Sequence, residues 1–333
     1  MWNIYGQDHL ITLLEAGLKN GRLAQAYLLL GPPHMGKLTL ATNLAQALNC
    51  LQGPGVPCGS CVQCTRIAQG LHADVRIVRV GSGQEDGPTR TVIGISDVKE
   101  VLRQVYLSPY EGRHIVIIFD GAESMSEEAA NSLLKTLEEP PEHVTILLLA
   151  ANEEALLSTI RSRCQRLELR PVPKEQIAAK LESDHGMDAE SAETLARQSR
   201  GCLGWAIGAI ADEQVLEGQE AEVARLSEAC QAPLDERFSY ANDLAALFSK
   251  DRESAKQSLY LWLRWWRDLL LIKEGADEYI LNRTHVNELR LHATRLSTVQ
   301  IVEFVKRLHQ TLEALDHNAS PRLTLEVLML TLP

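Results

Sequence analysis

A chain of 333 residues has room for two or three domains, and 45% hydrophobic residues supply material for real cores. The formal net charge of −11 argues against a free-standing DNA-binding protein, because phosphate contact needs concentrated Lys and Arg. A local basic patch, or an assembly whose other subunits bring the charge, stays compatible. No apolar run reaches membrane-spanning length, and "MWNIYGQDHL" lacks the basic-then-apolar layout of a secretory signal, so a cytoplasmic location is expected.

Residues 1–166 are predicted to form an α/β core. Short, near-continuous apolar runs at 26–30, 75–80, 114–120 and 144–150 alternate with helix-like segments, as parallel strands buried on both faces do. After the first run, Leu40, Leu44 and Leu48 recur every fourth residue beside alanines, which predicts a helix with a core-facing stripe. In "SEEAANSLLKTLEEPP", Ser126 is a predicted N-cap and Glu127 and Glu128 suit the positive helix end. Ala130, Leu133, Leu134 and Leu137 form its predicted buried face, and Pro140 stops it. "LRPVPKEQ" (169–176) reads as a linker. Residues 167–210 are expected to form a small helical lid, with Gly186 and Gly201 where helix C-caps belong. Residues 211–333 read as helical throughout. The most apolar stretch places Leu259, Trp262, Leu263, Trp266 and Leu270 on one broad face, as core or as interface.

Three groups of motifs carry chemistry, the first a candidate nucleotide site made of two stretches. "LLLGPPHMGKLTLA" (28–41) is nearly the phosphate loop G-x-x-x-x-G-K-[ST]. Gly31 and Gly36 let backbone amides turn toward phosphate, Lys37 supplies charge, and the following helix adds its positive end. The hydroxyl that would hold Mg²⁺ is replaced by Leu38; Thr39 stands one place late, a rotation of about 100° around a helix. "HIVIIFDGAESM" ends a strand on Asp120, as a Walker B strand does, but Gly121 stands where many ATPases carry the glutamate that activates water. Glu123 lies past the strand end and is not assigned that role.

The second motif is Cys50, Cys58, Cys61 and Cys64, spaced C-x₇-C-x₂-C-x₂-C. An odd total of seven cysteines with no secretion signal favours a metal site over disulfides. Four thiolates suit a closed structural Zn²⁺ site; a redox pair from Cys58 and Cys61, or unliganded thiols, are the alternatives, and His72 is near enough to substitute as a ligand. The third motif, "STIRSRCQRLEL", carries Arg161, Arg163 and Arg166; by itself it reads as a solvated edge with weak salt bridges.

Together, "GQDHLITLLEAGLKNGRLAQAYLLLGPPHMGK", the four-cysteine insert, "NSLLKTLEEPPEHVTILLLA" and "IRSRCQRLEL" resemble the clamp-loader branch of the AAA+ family, over roughly residues 5–210. The resemblance implies an α/β AAA+ P-loop core with a parallel sheet and a four-cysteine zinc insert, then a helical lid and an all-α collar domain. That branch combines ATPase motors with a subunit that does not hydrolyse. Leu38, Gly121 and Gly204, the last where motors place a nucleotide-sensing arginine, put this chain with the non-hydrolysing kind. Asn152 matches the polar sensor after the fourth strand. The resemblance further implies that Arg163, in Ser162-Arg163-Cys164, reaches as an arginine finger into a neighbour's ATP site. The implied partners are tau/gamma-type motor subunits, a delta subunit, the sliding β clamp and, through the assembly, primed DNA. ATP or ADP would bind Gly31, Gly36, Lys37 and Asp120 weakly or not at all, and no intrinsic ATPase activity is expected. An active motor holding Mg²⁺ through Thr39 or water, and a zinc-knuckle nucleic-acid-binding or adaptor protein, are the rival readings.

Overall fold

The computed structural model describes residues 1–53, 55–81, 92–211, 213–316 and 319–333. Its first elements are α1 (Asp8–Lys19), β1 (Ala26–Leu30), α2 (Lys37–Asn49), α3 (Val62–Ala68) and β2 (Val75–Arg79). Then come α4 (Ile95–Val105), β3 (Ile115–Asp120), α5 (Glu127–Glu138), β4 (Val144–Ala150), α6 (Ser158–Arg161) and β5 (Gln165–Glu168). Helices α7 (Lys174–His185), α8 (Ala189–Gln198) and α9 (Leu203–Ala211) follow. The strands form one sheet in the order β2-β3-β4-β1-β5, with every neighbouring pair parallel. Alternate strand residues face opposite ways, so each strand feeds two cores. Leu28, Ile117, Phe119, Ile146 and Leu148 pack under α4, α5 and α6. Leu29, Val116, Ile118, Leu147 and Leu149 pack with α1 and α2.

The four predicted strands are present, and β5 is an addition. In "QRLE" only Leu167 is buried, because β5 is an edge strand paired with β1 alone. Its exposed charged neighbours hide a strand whose backbone pairing does most of the holding. Helix α5 forms as read: Ser126 Oγ accepts the Ala129 N–H at 3.2 Å, Leu133 and Leu137 are buried, and Leu134 is partly buried. Gly186 caps α7 in the left-handed region at φ 65°.

Buried side-chain amides and a carboxylate tie together segments far apart in sequence. Gln7, fully buried, donates to the Arg170 carbonyl at 2.7 Å and accepts the Arg170 N–H at 3.0 Å. At the end of α2, Asn49 Oδ1 accepts the N–H groups of Arg113 and His114 at 2.7 and 3.0 Å, and its Nδ2 donates to the His114 carbonyl at 3.1 Å. Asp74 takes the N–H groups of Tyr110, Glu111 and Gly112 at 2.6 to 2.8 Å. Burial pushes that carboxyl up, but the three backbone donors outweigh it and hold Asp74 below the ordinary carboxylate range.

Tertiary contacts divide the chain into two compact units, Met1–Ile207 and Gly208–Pro333. The second contains α10 (Glu213–Gln231), α11 (Leu234–Lys250), α12 (Arg252–Lys273), α13 (Val286–Arg295), α14 (Thr298–Asp316) and α15 (Pro321–Leu330). Its centre is aromatic. Trp262 and Trp266 both pack on Phe304, with ring centroids 6.0 and 4.3 Å away, and Trp262 Nε1 donates to the Tyr240 hydroxyl at 2.9 Å. The tryptophans of α12 are therefore core. Its buried face is wider than the sequence pattern shows, since Trp265 and Leu269 are also fully buried. No described helix is long and apolar enough to cross a membrane.

Replacing Asn49 by Ala strands two backbone donors and one acceptor in the turn before β3. A loss of about 2 kcal/mol or more is expected, read as a lower urea midpoint at unchanged slope. An unchanged midpoint would show that water satisfies these groups.

Candidate functional site

The phosphate loop leaves β1 at Gly31 and enters α2 at Gly36, whose φ of 94° is a left-handed conformation that favours glycine. His34, within the loop, is also at positive φ, 62°. Lys37 folds back over the loop, and its Nζ donates to the carbonyls of Gly31 and of Pro32, the latter at 3.0 Å. Leu38 is half-buried and packs into the core on the α1 and α2 side of the sheet. Leu38 thus belongs to the packing of the core.

The strand register fixes what lies near the loop. Leu30 of β1 is level with Ala150 of β4, and Asp120 of β3 is level with Leu149. Asp120 therefore stands at the same sheet end as the loop, two strands over, or about 10 Å across the sheet. Gly121 follows at φ 83°, so a glutamate there would be strained as well as newly introduced. Glu123 is turned to the backbone, accepting the Ala151 N–H at 2.9 Å. Asn152 accepts the Glu154 N–H at 2.9 Å.

Gly204 sits against the loop. Its N–H donates to the His34 carbonyl at 3.1 Å, and a Cβ on Gly204 would lie 2.7 Å from that same oxygen. The start of α9 thus touches the loop backbone at a distance only glycine allows. An arginine at this position would require α9 and the loop to part.

Arg163 lies elsewhere. It precedes β5, whose Gln165 is level with Tyr27, whereas Gly31 follows the far end of β1. At about 3.3 Å per residue, Arg163 and Gly31 are separated by roughly 20 Å along the strands, beyond the reach of one side chain. Its guanidinium donates from Nε and Nη2 to Glu138 Oε1 at 3.0 and 2.6 Å, and from Nη1 to the Thr159 carbonyl at 2.9 Å. Arg166 makes exposed ion pairs with Glu153 and Glu168 at 3.0 and 3.5 Å, the solvated edge expected of it, and Arg161 ends α6.

The four cysteines converge. The Sγ atoms of Cys50, Cys58, Cys61 and Cys64 all lie within 4.8 Å of one another, and Cys50 and Cys64 are fully buried. Cys58 Sγ accepts the Cys61 N–H at 3.3 Å, and Cys61 Sγ accepts the Cys64 N–H at 3.5 Å as the N-cap of α3. These donors shape the thiols unequally. The Cys61 N–H, with Ser60, brings Cys58 down to about 6, while burial pushes Cys64 up to about 12. A bound cation supplies the charge that a buried thiolate lacks, so the donor set suits a metal ion. His72 does not join the group. Its Nδ1 accepts the Asp74 N–H at 3.1 Å, and burial lowers its basicity against the pull of Glu111. Buried amides support the cluster: Gln46 Nε2 donates to the Cys64 carbonyl at 2.8 Å, and Asn43 Nδ2 donates to Gln46 Oε1 at 3.1 Å.

Sequence reasoning named the loop, Asp120, the cysteines and Arg163, and the fold gathers the first two at one sheet end. It did not find Glu138, whose place at the end of α5 reads as one acid of an exposed "EEPP" turn. The backbone contact of Gly204 with His34 was equally hidden, since the residues are 170 positions apart.

The chain thus has a five-stranded parallel sheet flanked by helices, with the loop from Gly31 to Lys37 and Asp120 at one sheet end and the start of α9 packed on the loop. The family described as "DNA polymerase III, delta subunit" matches residues 6–173, and the chain belongs to that family. The delta' subunit of Bacillus subtilis DNA polymerase III is 30% identical over 311 residues, 91% of each chain. DNA polymerase III subunit tau of Escherichia coli is 36% identical over 222 residues, 65% of this chain and 33% of the relative. The gamma subunit of Buchnera aphidicola is 38% identical over 176 residues, 53% of this chain and 46% of the relative. The chain spans less than half the length of these tau and gamma relatives. Among solved structures, a DNA polymerase III gamma subunit-related protein from Thermotoga maritima covers 97% of both chains at 19% identity and a TM-score of 0.41.

Because the Gly204 Cβ has no room, Gly204→Ala should cost about 1–3 kcal/mol of stability, read by thermal or urea unfolding. A variant as stable as the parent would show that α9 shifts freely from the loop.

Proposed function

We propose that this chain is a non-hydrolysing clamp-loader subunit of the delta-prime kind, one that lends Arg163 to the ATP site of a neighbouring motor subunit. In this reading it works in a ring with tau/gamma-type motors and a delta subunit, which opens a sliding β clamp and places it on primed DNA. The observation that carries the reading is the position of Arg163 at the sheet end opposite its own phosphate loop. A guanidinium fixed out of reach of the local site supports a role toward another chain. Three features of the local site support the other half. Leu38 packs into the core, Gly121 stands where the activating glutamate would be, and Gly204 fills the sensor position while touching the loop. Residual nucleotide binding would have to displace Lys37 from the loop carbonyls.

A motor subunit is the second reading, favoured by the higher identity to the tau and gamma relatives over the first part of the chain. The match over 91% of a delta' chain weighs against it.

For the cysteine cluster we propose a structural Zn²⁺. A tetrahedral ion with Zn–S bonds of about 2.3 Å separates its sulfurs by roughly 3.8 Å, close to the 3.9 Å between Cys58 and Cys64. The ion would lock the loop after α2 onto α3 and take no part in phosphoryl transfer. Metal analysis of the purified chain should give about one equivalent of zinc; less than about half an equivalent contradicts the site.

The functional test is a ring reconstituted with motor and delta subunits. Losing a finger lowers turnover at the site it serves on the order of 10³-fold, so Arg163→Ala should remove that site's share of DNA-stimulated ATP hydrolysis. An unchanged ring rate overturns the finger assignment, and failure to enter the ring overturns the class.

A further inference from the structure

Arg163 is held by four contacts within its own chain. Nε and Nη2 grip one carboxylate oxygen of Glu138 at 3.0 and 2.6 Å; Nη1 meets the Thr159 carbonyl at 2.9 Å and Ser162 Oγ at 3.3 Å. Ser162 is itself anchored, its hydroxyl donating to the Thr159 carbonyl at 3.1 Å. Among the described residues these contacts engage four of the five guanidinium N–H groups. The arginine side chain stays 33% exposed, so it is fixed without being covered. Glu138 ends α5 and the contacts on Nη1 come from α6 and the residue after it, so two separate elements hold the two sides of the planar group.

We infer that Glu138 is a positioning residue for Arg163. An arginine carries large rotamer freedom, and a finger that must find its direction after two chains meet gives up that freedom at the catalytic step. Glu138 removes it beforehand. Thr159 and Ser162 alone anchor only Nη1, about which the group can still swing. The Glu138 contact locks the Nε and Nη2 edge and sets the direction in which the remaining N–H faces a neighbour. The ligand so addressed is the terminal phosphate of a nucleoside triphosphate held by the next chain. Glu138 itself touches no substrate.

The inference rests on the finger reading above, and the test separates the two. The ring is reconstituted with the full-length chain as wild type, Arg163→Ala, Glu138→Gln, Glu138→Asp and the double variant Arg163→Ala/Glu138→Gln. Steady-state hydrolysis is measured with Mg·ATP, clamp and primed DNA. The difference between wild type and Arg163→Ala defines the Arg163-dependent turnover. Glu138→Gln, nearly the same shape without the charge, should lower that component roughly tenfold at unchanged KM for ATP. Glu138→Asp, which keeps the charge, should restore part of it. In the Arg163→Ala background, Glu138→Gln should change nothing, which a merely structural role would not produce. Full Arg163-dependent turnover in Glu138→Gln, or an equal loss on top of Arg163→Ala, overturns the positioning role and leaves the finger standing. If Arg163→Ala itself has no effect, the finger reading fails and the positioning role with it.

Discussion

Parallel pairing of β1 with β4 on one side and β5 on the other sets the geometry on which the rest of the molecule depends. The register places Leu30 opposite Ala150 and Glu168, so Gly31 begins at one end of the sheet. Asp120 comes to the same end because β3 is in step with β4. The same register carries Ser162, Arg163 and Glu138 to the opposite end, where α5 and α6 precede β4 and β5. Parallel strands have two chemically distinct ends, and this fold uses both. One end holds the loop from Gly31 to Lys37 together with Asp120, and the other presents the Arg163 guanidinium held by Glu138.

Three residues at the loop end are each fixed by a different constraint. Leu38 is held by the core, Gly121 by a left-handed backbone, and Gly204 by close approach to the His34 carbonyl. A side chain introduced at the two glycines would meet different physical obstacles, straining φ at Gly121 or separating α9 from the loop at Gly204. The two glycine positions are therefore more than missing side chains. At Gly121 the constraint is a left-handed backbone, and at Gly204 it is the His34 carbonyl, which leaves no room for a Cβ.

Much of this was legible in the sequence, for reasons that can be stated. Apolar runs gave four strands because both faces of the parallel sheet are buried. The cysteine spacing brought four sulfurs together because two short C-x₂-C steps wrap a turn and the first turn of α3. What stayed hidden depends on contacts between distant residues or on main-chain pairing. β5 alternates charge with one buried leucine, and an edge strand needs no more. Gln7, Asn49 and Asp74 look like ordinary polar residues until their backbone partners, tens of residues away, come beside them. Trp262 and Trp266 could have been core or interface; only the packing on Phe304 and Tyr240 decides for core. Glu138 and Arg163 are 25 positions apart, and nothing in either local sequence marks the pair.

The proposed division of labour between the two sheet ends stands or falls on whether the chain's own loop turns over nucleotide. The direct measurement is Mg²⁺-dependent ATP hydrolysis by the purified chain alone, beside its Lys37→Ala variant. Turnover at the level of the buffer blank, identical in both proteins, is the expected result. Mg²⁺-dependent turnover that Lys37→Ala abolishes would contradict it and make this chain a motor.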